Sequence, residues 1–267
     1  MQTPAGETRR FRALFLSDMH LGTRGCQAER LVDFLRHHDA DTIYLVGDIV
    51  DGWQLRSTWH WPQAHNDVLQ KLLRKARKGT RIIYVPGNHD DFLREYCGMH
   101  FGGIEIVETA IHICADGSRY LVLHGDLLDI VIKYARWLAL LGNKAYDVAI
   151  AANTLFNKAR RLFGLTYWSL SKWAKLKVKN AVKFIGEFER ALAAEADRHG
   201  VDGIICGHIH HAAIQETSGI RYVNCGDWVE SCTAVAEHAD GRLEIIAWTA
   251  LAHAKTPAAL DRRVRAA

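Results

Sequence analysis

Five short apolar runs in this chain each lead into residues of the types that can bind metal ions. Asp18-Met19-His20 follows Phe11–Ser17, and Gly47-Asp48-Ile49-Val50-Asp51 follows Thr42–Val46. Gly87-Asn88-His89-Asp90 follows Arg81–Pro86, His124-Gly125-Asp126 follows Tyr120–Leu123, and Gly207-His208-Ile209-His210 follows Gly203–Cys206. Runs rich in Val, Ile, Leu, Phe and Tyr and bounded by Gly, Asn and Asp read as β-strands. Strand ends on one edge of a sheet converge on a common cleft and hold their side chains rigidly there. Any one of these blocks alone is an ordinary turn, because Asn, Asp and Gly are turn residues. Independent turns, however, have no reason to carry ligand-type side chains after five separate strands.

The donors are imidazole nitrogens with carboxylate and amide oxygens, and no cysteine is among them. Such a set suits Mn, Fe or Zn better than a thiolate-bound structural zinc. Asp18, His20, Asp48, Asn88, His124, His208 and His210 make seven candidates, more than a tetrahedral site takes. Two divalent ions about 3.5–4 Å apart, bridged by a carboxylate, would use them all. Asp48 is the expected bridge.

Further strands are expected at Ile104–Val107, Ile111–Cys114, Ile220–Asn224, Thr233–Glu237 and Leu243–Trp248, and helices at Ala28–His38, Gln63–Lys78 and Asp90–Tyr96. Alternation of strand and helix early, with strands dominating late, predicts an α/β sandwich of two sheets with helices outside. The 267 residues, 49% of them hydrophobic, suffice for a single domain spanning 1–267 with a large core. Only four prolines and no low-complexity tract exclude a fibrous or disordered chain. Six scattered cysteines without a C-x-x-C pair argue against a zinc finger or disulfide scaffold and point to a reducing cytoplasm. MQTPAGETRR lacks the apolar stretch of a signal peptide, and Ile130–Leu141 is broken by Lys133 and Arg136, so no membrane span is expected.

Charge is unevenly placed. Residues 130–190 hold twelve Lys and Arg against three acids, although the whole chain has a formal net charge of only +4. That overall balance does not call for an obligate nucleic-acid partner. The stretch also interleaves Tyr134, Trp137, Phe156, Phe163, Tyr167, Trp168 and Trp173 with its basic residues, and its apolar positions recur at helical spacing. It is expected to be a helical insertion, a cap over the sandwich. The bland alternative is a solvated basic face over an ordinary helical core. The sequence leaves the oligomeric state open.

Taken in order, D-x-H, G-D-x-x-D, G-N-H-D, H and G-H-x-H, the blocks resemble those of the calcineurin-like metallophosphoesterase superfamily. The resemblance spans residues 11–248 and implies a β-sandwich flanked by helices. It implies that Asp18, His20, Asp48 and His210 hold one ion and that Asp48, Asn88, His124 and His208 hold the other. It makes His89 the substrate-facing histidine and Asp51 the acid that orients it. The implied chemistry is in-line attack on phosphorus by a metal-activated water, with His89 stabilising the transition state or protonating the leaving oxygen.

Within the superfamily the chain looks most like the UDP-2,3-diacylglucosamine pyrophosphatase branch or a close sister group. The carrying segments are S-D-M-H-L-G (17–22), G-D-I-V-D-G-W (47–53), G-N-H-D-D-F-L (87–93), H-G-D (124–126) and G-H-I-H-H (207–211). That branch cleaves the diphosphate of a lipid-linked sugar nucleotide to UMP and a monophosphorylated diacyl sugar. The insertion would shelter acyl chains, contact phosphate through Lys133, Lys177, Lys179 and Lys183, and rest peripherally on the inner membrane. Asn88 is a further candidate for substrate contact. Asp126 and Asp129 are candidates for orienting roles or helix starts, with Asp126 also a substrate-binding candidate; Asp227 is a candidate lining residue or a strand-ending turn. Better-known members carry Arg where this chain has His89, a departure that keeps other phosphodiesters, cyclic nucleotides and nucleic-acid ends open as substrates. A catalytically silent scaffold is the remaining alternative, and loss of ligands, its sequence sign, is not seen.

Overall fold

The computed structural model describes residues 8–126 and 192–248. The expected insertion at 130–190, with Asp129, Lys133, Lys177, Lys179 and Lys183, lies outside the described residues.

Among the described residues two sheets stack face to face. The larger contains β1 (Arg9–Leu16), β2 (His38–Val46), β3 (Arg81–Val85), β4 (His100–Phe101), β5 (Ile104–Ile106), β11 (Thr233–Glu237) and β12 (Leu243–Ala247), in the order β12-β11-β1-β2-β3-β5-β4. The smaller contains β6 (Ala110–Ile113), β7 (Arg119–Val122), β8 (Gly203–Cys206), β9 (Ala213–Thr217) and β10 (Ile220–Asn224), in the order β6-β7-β8-β10-β9. The central strands β1, β2, β3 and β5 run parallel, as do β7, β8 and β10, while antiparallel strands close the margins. Strands buried on both faces carry continuous apolar sequence, which explains why β1 to β3 read so clearly.

Alternation along each strand sorts its side chains between two layers. Ala13, Phe15, Tyr44, Val46, Ile83 and Val85 face the other sheet and meet Val122, Ile205 and Val223. Their neighbours Leu14, Leu16, Ile43, Leu45 and Ile82 face outward, under α1 (Ala28–His37) and α3 (Gln63–Arg77). On the far side Leu121, Ile204 and Tyr222 pack beneath Leu192 and Ala196 of the helical residues 192–199. The result is the expected α/β sandwich with helices on both faces.

Three local expectations change. His38 begins β2 instead of ending α1, because α1 passes straight into the strand. Asp90–Tyr96 forms a 3-10 helix, Asp91–Tyr96, with no buried residue of its own. A short helix absent from the sequence reading, α2 (Gly52–Ser57), starts where Asp51 Oδ1 accepts the Gln54 N–H at 2.7 Å.

Candidate metal centre

The five blocks emerge at the C-terminal ends of β1, β2, β3, β7 and β8, and backbone hydrogen bonds join them beyond the sheets. Asp18 N–H donates to Gly47 O at 3.1 Å, His20 N–H to Asp48 O at 2.9 Å, and Gly207 N–H to His124 O at 3.1 Å. Two side-chain acceptors complete the joints, Asp18 Oδ2 taking the His208 N–H at 2.8 Å and Asp48 Oδ1 the His89 N–H at 2.8 Å. Gly47, at φ +72°, has no room for a Cβ, which would fall on the His124 ring. Asp18, His20, Asp48, His208 and His210 all have φ between +49° and +71°. Such conformations are costly for residues with a side chain and cluster at functional sites.

The side chains meet in two adjoining groups. In one, His210 Nε2 is 3.1 Å and His20 Nε2 4.0 Å from Asp18 Oδ1. In the other, His124 Nε2 is 3.3 Å from Asp48 Oδ2 and 3.2 Å from His208 Nδ1. Asp48 Oδ2 also lies 3.9 Å from His20 Nε2, so this carboxylate stands between the groups. Donors that share a cation at about 2.1 Å sit roughly 3–3.5 Å apart, as the His210–Asp18, His124–Asp48 and His124–His208 pairs do, while His20 Nε2 stands somewhat farther from both carboxylates.

The residues fit a divalent cation on a further count. Asp18 Oδ1, His20 Nε2 and Asn88 Oδ1 are buried and make no hydrogen bond among the described residues. An unpartnered buried polar atom costs about 1–3 kcal/mol, and of the five such side-chain atoms among the described residues, the other two being His89 Nδ1 and Trp228 Nε1, these three belong to the candidate ligands. The charges gathered in the site make the same demand for a positive partner. Burial would lower the His124 pKa, but its hydrogen bond to Asp48 and the charges of Asp18 and Asp48 raise it to about 10. Burial would raise the Asp48 carboxyl, yet hydrogen bonds and charge from His124, with the His89 N–H, hold it at about 2.

Asp51 and His89 lie beside the first group. Asp51 Oδ2 is 3.0 Å from Nδ1 of both His20 and His89, so one carboxylate faces two imidazoles. Burial opposes protonation of His89, whereas Asp51, Asp48 and Asp90 favour it strongly enough to raise its pKa. The His89 ring also lies tilted against Trp53, centroids 4.2 Å apart, and meets His20 edge-on at 4.7 Å. Asp126 pairs instead with Arg94, accepting from it at 2.8 Å, and the same guanidinium reaches Pro86 O at 3.3 Å.

Several supporting residues escaped the sequence reading. Asp90, fully buried, accepts N–H groups from Gly87 at 2.5 Å, Ile49 at 2.8 Å and Asp48 at 3.3 Å, plus the Tyr84 hydroxyl at 2.5 Å. It therefore ties the Asn88 loop to the Asp48 loop. Asn224 does the same for the His208 loop, donating to Gly207 O at 2.5 Å and accepting from Gly226 N–H at 3.0 Å. Asp227 turns out to organise its own turn, accepting the Val229 N–H at 2.8 Å and the Ser231 hydroxyl at 2.6 Å, while the Trp228 N–H donates to Asp18 O at 3.0 Å. The buried group His112, Cys114 and Glu237 also has metal-ligand composition, but Glu237 is already engaged by Arg12, His112 and the Ala115 N–H, each at 2.8 Å.

Stacked mixed sheets carrying carboxylates, imidazoles and an amide on their strand ends define a metal-dependent hydrolase. The chain belongs to the calcineurin-like phosphoesterase family, whose model matches residues 11–212. It is similar to the UDP-2,3-diacylglucosamine hydrolase of Xanthomonas campestris pv. campestris, with 29% identity over 241 residues covering 85% of this chain and 96% of that protein. The enzyme of the same name from Aliivibrio fischeri is 27% identical over 245 residues, covering 85% and 94%. Among solved structures, a Vps29 mutant from Entamoeba histolytica matches with a TM-score of 0.42 and 13% identity, over 88% of this chain and 98% of that one. No helix among the described residues is long and apolar enough to cross a membrane.

Proposed function

We propose that the chain hydrolyses the diphosphate of UDP-2,3-diacylglucosamine, giving UMP and 2,3-diacylglucosamine 1-phosphate, with the help of two divalent cations. The observation that carries the hydrolytic reading is the convergence of unpartnered, buried ligand atoms from separate strand ends. The substrate rests on relatives of that name aligned over nearly their full length. In this reading Asp18, His20, Asp48 and His210 hold one cation and Asp48, Asn88, His124 and His208 the other, with Mn2+ the expected ion and Fe or Zn the alternatives. Such cations, when bound, acidify coordinated water and neutralise charge on phosphoryl oxygens.

The chain's own residues supply orientation and proton transfer. Asp51 faces Nδ1 of both rings: His20 keeps its single proton there and leaves Nε2 bare for ligation, whereas His89, whose pKa the surrounding carboxylates raise, carries a proton on each nitrogen and donates the one on Nε2 to the leaving oxygen. Trp53 packs against the His89 ring and helps to hold its orientation. The reaction would take place in the cytoplasm, with substrate drawn from the inner-membrane surface and the basic stretch 130–190, including Lys133, Lys177, Lys179 and Lys183, meeting acyl chains and phosphate.

The test is UMP release from UDP-2,3-diacylglucosamine by pure protein loaded with Mn2+. No turnover by protein that demonstrably binds the metal would remove this substrate. His89, in the position where better-known members of the resembled branch carry Arg, favours a second reading: the same chemistry on another phosphodiester. Turnover of cyclic nucleotides or nucleic-acid ends, with steep salt dependence in the latter case, would support it.

A further inference from the structure

His65 belongs to none of the ligand-bearing blocks, yet it is buried beside them, 2% exposed. It sits in the first turn of α3, and its Nδ1 accepts the N–H of Gly22 at 3.1 Å. Gly22 lies two residues past His20, on a ladder that joins 18–22 to 47–51. The rungs are His20 N–H to Asp48 O at 2.9 Å, Leu21 N–H to Ile49 O at 2.9 Å, and Asp51 N–H back to Leu21 O at 2.8 Å. His65 thus holds the next donor, where the Asp48 strand has turned away into α2.

The segment so held is strained. His20 is at φ +50° and Gly22 at +110°, a value suited to glycine alone. A turn of this kind keeps its shape only where its surroundings over-determine it. Thr23 contributes from one side, with its N–H and hydroxyl both donating to His20 O, at 3.1 and 2.9 Å. His65 contributes from the other. We propose that His65 is a positioning residue of the metal centre, pinning Gly22 and through it the turn that offers His20 Nε2 to a divalent cation. The inference rests on the metal-binding reading above.

An imidazole suits the task because one ring nitrogen, left unprotonated, accepts a hydrogen bond in a site closed to water. The ring is shielded by Trp61, edge-on at 5.3 Å, and by His60 at 5.8 Å. Burial, aided by His60, pushes the His65 pKa below the ordinary imidazole value and so keeps Nδ1 free to accept. Asparagine is the informative replacement, since its Oδ1 stands where Nδ1 does and cannot become protonated. Leucine fills the space without an acceptor.

The experiment titrates Mn2+ into wild-type, His65→Leu, His65→Asn and Asp48→Ala chains by calorimetry, and follows amide hydrogen exchange of the peptide containing Gly22 in each. His65→Leu should weaken Mn2+ binding about tenfold, the lower end of the range for lost outer partners of metal ligands, and should speed exchange at Gly22. His65→Asn should restore both to within about twofold of wild type. Wild type and Asp48→Ala binding Mn2+ alike would overturn the metal centre and this inference with it. Mn2+ binding by His65→Leu equal to wild type, or equal losses in the Leu and Asn variants, would overturn the role of His65 alone. Should His65→Leu fail to fold, His65→Gln, whose longer side chain carries its acceptor past the Gly22 N–H, takes its place with the same expected loss.

Discussion

Asp90→Asn isolates the carboxylate that joins two ligand loops without itself facing a cation. Asp90 Oδ2 accepts from Ile49 N–H at 2.8 Å and the Tyr84 hydroxyl at 2.5 Å, while Oδ1 accepts from Gly87 N–H at 2.5 Å and Asp48 N–H at 3.3 Å. Asparagine keeps the shape but has one acceptor oxygen. With its NH2 in the Oδ2 position it confronts the Ile49 N–H donor to donor; turned over, it confronts Gly87. The Tyr84 hydroxyl can rotate to accept, but a backbone N–H cannot, so either orientation leaves a buried donor unpartnered. A hydrogen bond to a charged group contributes about 1.5–3 kcal/mol and a stranded buried donor costs about 1–3, which together predict a loss of about 2.5–6 kcal/mol. Tyr84→Phe removes one donor to the carboxylate but strands no backbone N–H, so it should cost only the first of these, about 1.5–3 kcal/mol. Urea unfolding followed by circular dichroism measures both, and calorimetric titration with Mn2+ should show the Asn variant weaker by at least about tenfold, because the Asp48 loop is no longer fixed. An Asp90→Asn chain within about 1 kcal/mol of wild type, binding Mn2+ equally well, would refute the reasoning.

Three further outcomes separate binding, chemistry and fold. Asp48→Ala should abolish metal-dependent turnover, whereas His89→Ala should retain Mn2+ and slow turnover by about 10²–10⁴; near-normal turnover in the first would contradict the bridging position of Asp48. Gly207→Ala places a methyl group on Ser17 Oγ and Asp18 Oδ2 and should destabilise the chain by about 1–3 kcal/mol in urea unfolding, with no change refuting the close approach. Burial lowers the His38 pKa to about 4, so the fold holds this ring neutral while the unfolded chain protonates it near 6.5. Its contribution is therefore intact above pH 6.5 and is lost as pH falls from 6.5 to 4, by up to about 3 kcal/mol. His38→Gln should flatten unfolding free energy across that window, and an unchanged slope would contradict the assignment.

The sequence was legible where side-chain identity alone carries the information. Buried strands announce themselves because both faces must be apolar, and ligands because only a few residue types bind metal. β4 is two exposed residues, His100 and Phe101, and β9 is an edge strand with Gln215 and Glu216 exposed. Neither has the apolar pattern that reveals a strand. The short helix α2 is set by the Asp51 cap, not by hydrophobic spacing. Asp90, Asn224 and His65 were silent for a different reason: their roles depend on which backbone N–H groups come to face them, and those donors belong to loops remote in sequence.

That division follows from how the centre is built. Cations demand donors at fixed separations, and strand ends alone do not provide them; the loops must turn sharply, and five of the seven candidate ligands do so with left-handed backbone. Asp and His, the types found at 18, 20, 48, 208 and 210, enter that conformation more readily than most residues with a side chain but do not prefer it. Glycine would adopt it freely but offers no ligand, so the side chain the chemistry needs excludes the residue the backbone prefers. The conflict is resolved outside the ligands, by buried acceptors and donors such as Asp90 and Asn224 that hold each loop from behind, and by glycines at 47 and 207 that let neighbouring side chains approach. Replacing a ligand removes a donor, but replacing one of these supports releases a strained turn and misplaces a donor that is still present. The two kinds of lesion therefore differ in kind: the first abolishes a binding position, and the second lowers affinity and stability together.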